Sequence, residues 1–566
     1  MFIKYFKFII IILFFNQNPL YSKSKSLNDF NSHYLSNYFS GIVAYENKNN
    51  LEALKFFKSA RHLINKHDPY LERYVYSLVL ENKAQEAIKE IKKNLTETNS
   101  GFFEAHLILA LDSLKKKNFK KSKDYLELSS KFINNDKFAL ILYETLKQYL
   151  YVFEENKIPK TNKIFGDFSL INEVFLRCYL DDKNTQIYFE NLINKDSARA
   201  QGADYSRYIF FYINYLIQNN RFKEAQQITN ELDYLSSTIL ISQGKKWIVE
   251  KKLEEFNKIF SCRNSNDIIS ELFFLVSNLY SSQKNYEQSN FYLNISYYLN
   301  PKFKFNLSLL AENYYLNGNY KKAKEILEYF NKKDDFYYWY KLKKQAQIIS
   351  KELNNEESIN FINNKFKKIK NPSIKLVFDI ANLNKNSTRY QDAISYYDQI
   401  ISKIDLNSIF YPEILYRRGS SYERMGDYLN SDKDLLKSLE INPNDAYVLN
   451  YLGYSWLERN YKIETALQML QKAYETRSND PYIIDSIGWA YYLVDDFLKA
   501  EKFIRRAVEL MPNDPIVNDH YGDILWKLDR KIQARYFWTS VLNLKETDNK
   551  MRKNINIKLI EGIKKS

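Results

Sequence analysis

The chain has 566 residues, 45% of them hydrophobic, with 48 tyrosines and 38 phenylalanines; that length exceeds one compact core, and that apolar content excludes a disordered chain. Only 12 glycines and 10 prolines punctuate it, so long helices are expected. The net charge of +15 is scattered among acids, as in Lys115-Lys116-Lys117 followed by Lys123, Asp124 and Glu127, which argues against a nucleic-acid footprint and for a composition rich in residues of AT-rich codons.

At the N-terminus, Lys4 and Lys7 precede the apolar run Phe8 to Phe15, and Pro19-Leu20-Tyr21-Ser22 follows. A positive start, a short apolar run and a small residue read as a secretory leader over residues 1–22, cleaved after Ser22 or Ser24. The run is too short to cross a hydrocarbon layer, which needs roughly 20 residues; an uncleaved anchor is the alternative. The expected location is periplasmic or otherwise exported. Cys178 is the first cysteine, far from the leader, so no lipid anchor is implied. Cys178 and Cys262 are each expected as a small buried residue; an oxidising compartment would permit a bridge between them.

From residue 30 to 135 a helix-pair pattern starts with Gly41, Ala53, Phe57 and Ala60, a unit ended by Asp68-Pro69. Val75 with Ala87, and Ala110 with Ser122 and Leu126, read as weaker copies. Residues 136–200, with Pro159 and Gly166, read as an irregular helical connector. From 201 to 370 degenerate copies resume: Ile213 with Ala225, then Ser277, Ser289, Leu293 and Ser296, then Ala311, Ala323 and Leu327, then Ala346 with Ser358.

The pattern is sharpest over 371–544. Ala381, Ala393 and Tyr397 open it, and Gly419, Gly453, Gly488 and Gly522 follow at intervals of 34, 35 and 34 residues. Twelve or thirteen residues after each glycine stands Ser431, Ala466, Ala500 or Ala534, and four further on Leu435, Leu470, Ile504 or Trp538. Ser438, Ala473 and Ala507 come next, and Pro443, Pro481 and Pro512 are read as closing units. Each unit is then two short helices around a turn such as Val494-Asp495-Asp496. The glycine and the alanine mark the closest approach of the two helices, and the large residue one turn on fills the gap to the next unit. Over 545–566, Met551, Ile555, Leu559 and Ile563 make a basic helix with one apolar stripe, suited to capping the open end.

A period of 34 with this order of small and large residues resembles the tetratricopeptide repeat, with roughly ten to twelve units along the chain. The resemblance implies an all-α solenoid, a superhelix of tandem helix-turn-helix units with a C-terminal capping helix. The run LNYLGYSWLERN, then DPYIIDSIGWAYYL, then NDPIVNDHYGDILWKLDRKIQARYFW, resembles the C-terminal repeats of exported proteobacterial tetratricopeptide proteins. Some relatives of that group are outer-membrane lipoproteins that act as adaptors for a periplasmic processing protease. This chain lacks their lipid-acceptor cysteine.

Catalytic chemistry finds no purchase. The histidines, His33, His62, His67, His106 and His520, form no H-E-x-x-H pair and stand at no metal spacing from a cysteine. There is no G-x-S-x-G elbow, phosphate-cradling loop or G-x-G-x-x-G. Asn518-Asp519-His520 is the one local cluster, and it reads as a packed histidine on a helix. No catalytic, cofactor or metal site is expected.

Function then falls to a surface. If the first helix of each unit lines the concave side, positions six and three before the glycine and one and four after it face a groove. These are Tyr447, Asn450, Tyr454 and Leu457, then Tyr482, Asp485, Trp489 and Tyr492, then Ile516, Asp519, Asp523 and Trp526. Such a ladder of aromatics with amides and acids suits an extended peptide or a partner helix, and the acidic row points to a partner bearing Lys or Arg. Two alternatives stand: some of these aromatics pack between units, or tyrosine faces contact glycan or lipid surfaces.

Overall fold

The computed structural model describes residues 32–64, 67, 69–95, 101–133, 136–159, 166–193, 206–232, 235, 237–332 and 334–563. The leader reading over 1–22, and Asp68, lie outside the described residues. Among the described residues all regular structure is helical, with no strand, and no helix is long and apolar enough to cross a membrane. The chain is an all-α solenoid that divides into two compact units: unit 1 is Met1–Leu232 with Thr238–Tyr337, and unit 2 is Asp233–Ser237 with Tyr338–Ser566. The spacing had suggested a change of segment at 370/371. It could not place the division, because Ala346 and Ser358 keep the period through this stretch: the Ser358 hydroxyl donates to the Ala346 carbonyl at 2.7 Å.

Unit 2 is a run of helix pairs: Ile374–Asn386 with Tyr390–Ile401, Tyr411–Arg424 with Tyr428–Ile441, Ala446–Glu458 with Ile463–Thr476, Pro481–Leu493 with Phe497–Leu510, and Pro515–Lys527 with Lys531–Asn543. Every pair turns through a left-handed residue, Thr388, Gly426, Asn460, Asp495 or Asp529, where the first helix ends. Asp427 and Asp496 then accept from the backbone N–H of Asn430 and Lys499 and start the second helix. Asp445, Asp480 and Asp514 cap the first helices in the same way. Pro481 was read as closing a unit; it opens one instead, as Pro515 does, because the first helical position needs no N–H and favours the fixed φ of proline.

The small residues sit where the two helices of a pair cross. A methyl at Gly488 would lie 2.6 Å from Ile504, one at Gly453 2.9 Å from the Ala466 carbonyl oxygen, and one at Gly419 3.0 Å from Leu435. At Gly522 it would meet the Trp538 indole. Ala466, Ala500, Ala507 and Ala534 are fully buried opposite. The capping helix Asn549–Glu561 closes the run, burying Ile555 against the last pair.

Unit 1 begins in the same style, with Gly41 against Phe57 at 2.7 Å and Ala53 buried. The connector expected over 136–200 contains regular helices, Lys137–Glu155, Asp167–Tyr179 and Thr185–Ile193. The larger departure from a simple array is closure. The first helices of the N-terminal pairs, Pro69–Leu80 and Phe103–Lys115, face the helix Tyr286–Leu299. The Tyr76 and Phe291 rings stack at 4.3 Å, Lys115 donates to the Tyr298 carbonyl at 2.5 Å, and Gln288 donates to Glu104 at 3.3 Å. Lys322 pairs with Glu81 at 2.8 Å and Phe138 meets Tyr280 at 4.9 Å. The inner face of these repeats is filled by the unit's own later helices.

Cys178 and Cys262, expected as separate thiols, are bonded to one another, with Cα atoms 5.8 Å apart. The end of helix Asp167–Tyr179 is brought to the loop before Ser265–Ser282 by packed rings, Phe175 against Phe260 at 5.9 Å and Phe211 against Phe260 at 4.3 Å.

Gly488→Val and Gly522→Val are each expected to lower the stability of unit 2 by about 2 kcal/mol, overpacking outweighing the gain in helix propensity. Urea unfolding followed by circular dichroism measures this. Unchanged midpoints would show that these contacts do not set the helix spacing.

Candidate partner-binding face

The first helices of unit 2 carry the candidate groove, and the structure sorts its residues into a filled middle and an open rim. In the middle, the Asp485 carboxylate is 8% exposed and lies 3.0 Å from His520 Nδ1. The His520 ring stacks on Trp489 at 3.9 Å, and Tyr492 covers the other side of the indole at 4.4 Å. The Trp489 N–H is also engaged, donating to Glu458 at 3.0 Å. One repeat further, Lys558 from the capping helix donates to Asp519 at 2.6 Å and to both Asp523 oxygens at 2.8 Å. Asp523 accepts from the Trp538 indole N–H as well, at 3.0 Å, and Trp526 packs on Trp538 at 5.3 Å.

The expected acidic track is therefore corrected. Asp485, Asp519 and Asp523 do stand one per register on neighbouring helices, yet each carboxylate already has its cation or histidine within the chain. Trp489 is covered on both faces and Tyr454 and Tyr492 are part-buried, so these rings pack more than they present. The two side chains that complete the middle were not recognised as such: His520 was read as merely packed, and Lys558 was not singled out. A signal existed, since each lies 35 residues after its acid, Asp485 or Asp523, and so holds the same place in the next register.

The rim is open. Tyr447, Tyr482 and Ile516, all six residues before their glycine, are 45%, 64% and 50% exposed. The Tyr447 hydroxyl donates to Asp480 at 3.3 Å and Arg477 lies over its ring at 4.8 Å, which hold it upright. Beside it, the buried Oδ1 of Asn450 accepts no hydrogen bond, an acceptor left for a donor from outside the chain. Among the described residues no cluster of His, Cys, Asp and Glu is arranged to hold a metal ion.

Residues 412–445 match the tetratricopeptide repeat family model. Over 98 residues the chain is 32% identical to the TPR repeat-containing protein PA4667 of Pseudomonas aeruginosa, a match that spans 17% of this chain and 17% of that protein. Among solved structures, MamA of Desulfovibrio magneticus RS-1 is similar at 22% identity, over 31% of this chain and 97% of that one, with a TM-score of 0.26. TTC0263, a thermophilic TPR protein of Thermus thermophilus, is similar at 17% identity, over 33% of this chain and 100% of that one, with a TM-score of 0.30.

The filled middle should respond to pH. Burial lowers the proton affinity of His520, but Asp485 and its hydrogen bond, with Asp519 and Asp523 behind, outweigh this and raise it. Burial, then the Asp519 charge, push the Asp523 carboxyl up to about 6 despite Lys558 and His520. Both groups bind a proton more tightly folded than unfolded, so both contribute stability at low pH. The Asp523 share is lost as pH rises through about 6, and the His520 share through a value above 6.5. Unit 2 is expected to lose on the order of 1 kcal/mol between about pH 5.5 and pH 8 from these groups. Urea unfolding at both values should show that loss shrink in His520→Gln. An equal slope in the variant would contradict the assignment.

Proposed function

Because this chain is a tetratricopeptide repeat protein, we propose that it is a non-catalytic scaffold of the cell envelope that holds a protein partner along the rim of unit 2. The observation that carries the reading is the row Tyr447, Tyr482 and Ile516, one exposed apolar side chain per repeat, beside the unpartnered Asn450 acceptor. Neighbouring repeats stack at about 10 Å. A partner helix that repeats an apolar residue every seven positions rises about 10.5 Å per repeat and meets the row in step. Aromatic side chains on rigid helices give contact area at little conformational cost, which is how a few residues come to dominate binding. The carboxylates in the middle, being neutralised within the chain, position the rim and do not recruit a basic partner.

Export is supported by two independent features. The leader-like start combines Lys4, Lys7 and the run Phe8 to Phe15, and the Cys178–Cys262 bridge belongs with an oxidising compartment. The relevant partners are then envelope assembly or processing proteins, including the protease-recruiting role that the C-terminal resemblance implies.

Affinity capture of the full chain from envelope fractions tests the proposal. Tyr447→Ala with Tyr482→Ala is expected to reduce recovery of the partner at least tenfold without shifting the melting curve, since both side chains are exposed. The chain itself is expected in the periplasmic fraction with its cysteines closed to alkylation. Undiminished recovery sinks the rim assignment, and a cytoplasmic chain with free thiols sinks the export reading.

A further inference from the structure

A second apolar row runs along the edge of unit 2 at the turns between the two helices of each pair. Leu429, Ile463, Leu498 and Ile532 each occupy the first or second position of the second helix, directly after the left-handed turn. They are 83%, 38%, 74% and 87% exposed. Because the turn recurs with the same local geometry, the four side chains project in one direction from four successive repeats, spanning about 30 Å at a stacking distance of about 10 Å. No intrachain role accounts for aliphatic groups left in water at the same place in every repeat.

We propose that this edge is a homodimer contact, with the rows of two copies running antiparallel about a two-fold axis between the second and third repeats. Charge selects this occupant. The turn segment around Leu429 is net acidic, with Asp427 and Asp432 against Lys433, and that around Ile463 is net basic, with Arg459 and Lys462 against Glu464. The segment around Leu498 is net acidic again, with Asp495, Asp496 and Glu501 against Lys499 and Lys502; that around Ile532 is net basic, with Arg530, Lys531 and Arg535 against Asp529. The signs alternate along the row, so reversing one copy sets acidic against basic at every step. Running two copies in the same direction sets like against like. An anionic bilayer would need basic charge throughout, and two of the four segments are acidic. The antiparallel register pairs Leu429 with Ile532 of the second copy and Ile463 with Leu498, the isologous pattern a two-fold axis requires. The protruding side chains of one row enter the gaps of the other.

This surface lies apart from the rim and stands independently of it. Sedimentation velocity of the full chain between about 1 and 100 µM is expected to show a concentration-dependent dimer of the weak class that small interfaces make. Leu498→Asp, whose folding is checked by circular dichroism, is expected to weaken it at least tenfold. Under mild oxidation, a mixture of chains carrying Ile463→Cys and chains carrying Leu498→Cys is expected to cross-link, while Leu429→Cys alone is not. A chain that stays monomeric over the whole range overturns the proposal. So does Leu429→Cys cross-linking to itself as readily as the mixed pair, or binding of monomers to anionic vesicles through these residues.

Discussion

The structure depends on how closely two helices of a pair can approach. At each crossing one helix offers a glycine or alanine, and the facing helix fills the space with Ile504, Leu435, Leu470 or Trp538. A methyl group at Gly488 has no room, so the distance between axes is fixed by a single missing atom, and that distance repeats along unit 2. Everything outward of the crossing follows from it: which positions face the inner side, which project at the turns, and where an aspartate must cap the next helix. The capping aspartates and left-handed turn residues hold each helix to length but do not set the spacing.

Given the same construction, the two units differ in what occupies their inner faces. Unit 1 covers its own with the helix Tyr286–Leu299 and its neighbours, through ring stacking at Tyr76 and Phe291 and polar contacts at Glu104 and Lys115. Unit 2 fills only the middle of its face, and does so with side chains. Asp523 is nearly buried and would be costly alone; Lys558 and the Trp538 N–H compensate it. Asp485 is served by a histidine that also clamps Trp489. The capping helix thus does more than cover apolar surface: it supplies the cation that lets two carboxylates stand side by side.

How much was legible followed the range of the forces. The repeat over 371–544 could be read because sterics forbid anything large at Gly453, Gly488 and Gly522, and a forbidden residue leaves a mark at every copy. The capping helix was readable from Ile555 and its stripe. The closure of unit 1 was not, since it joins residues such as Gln85 and Tyr298, 213 positions apart, through contacts with no local pattern. Cys178 and Cys262 came together for the same reason, through a cluster of phenylalanines drawn from separate helices. The groove was half legible. Its positions were found by counting from the glycine, but burial and pairing were missed, because the partners of Asp485 and Asp523 lie one full register on, where counting along one helix does not reach.

Partner binding, in this account, falls to unit 2 because the inner face of unit 1 is already occupied by its own helix. Native-state hydrogen exchange across a denaturant series tests that most directly. The account predicts that the amides of Tyr286–Leu299 open together with those of Pro69–Leu80 and Phe103–Lys115, at one shared free energy. Exchange of Tyr286–Leu299 at much lower denaturant than the helices around it would show an inner face that opens on its own, and would contradict the division of roles between the units.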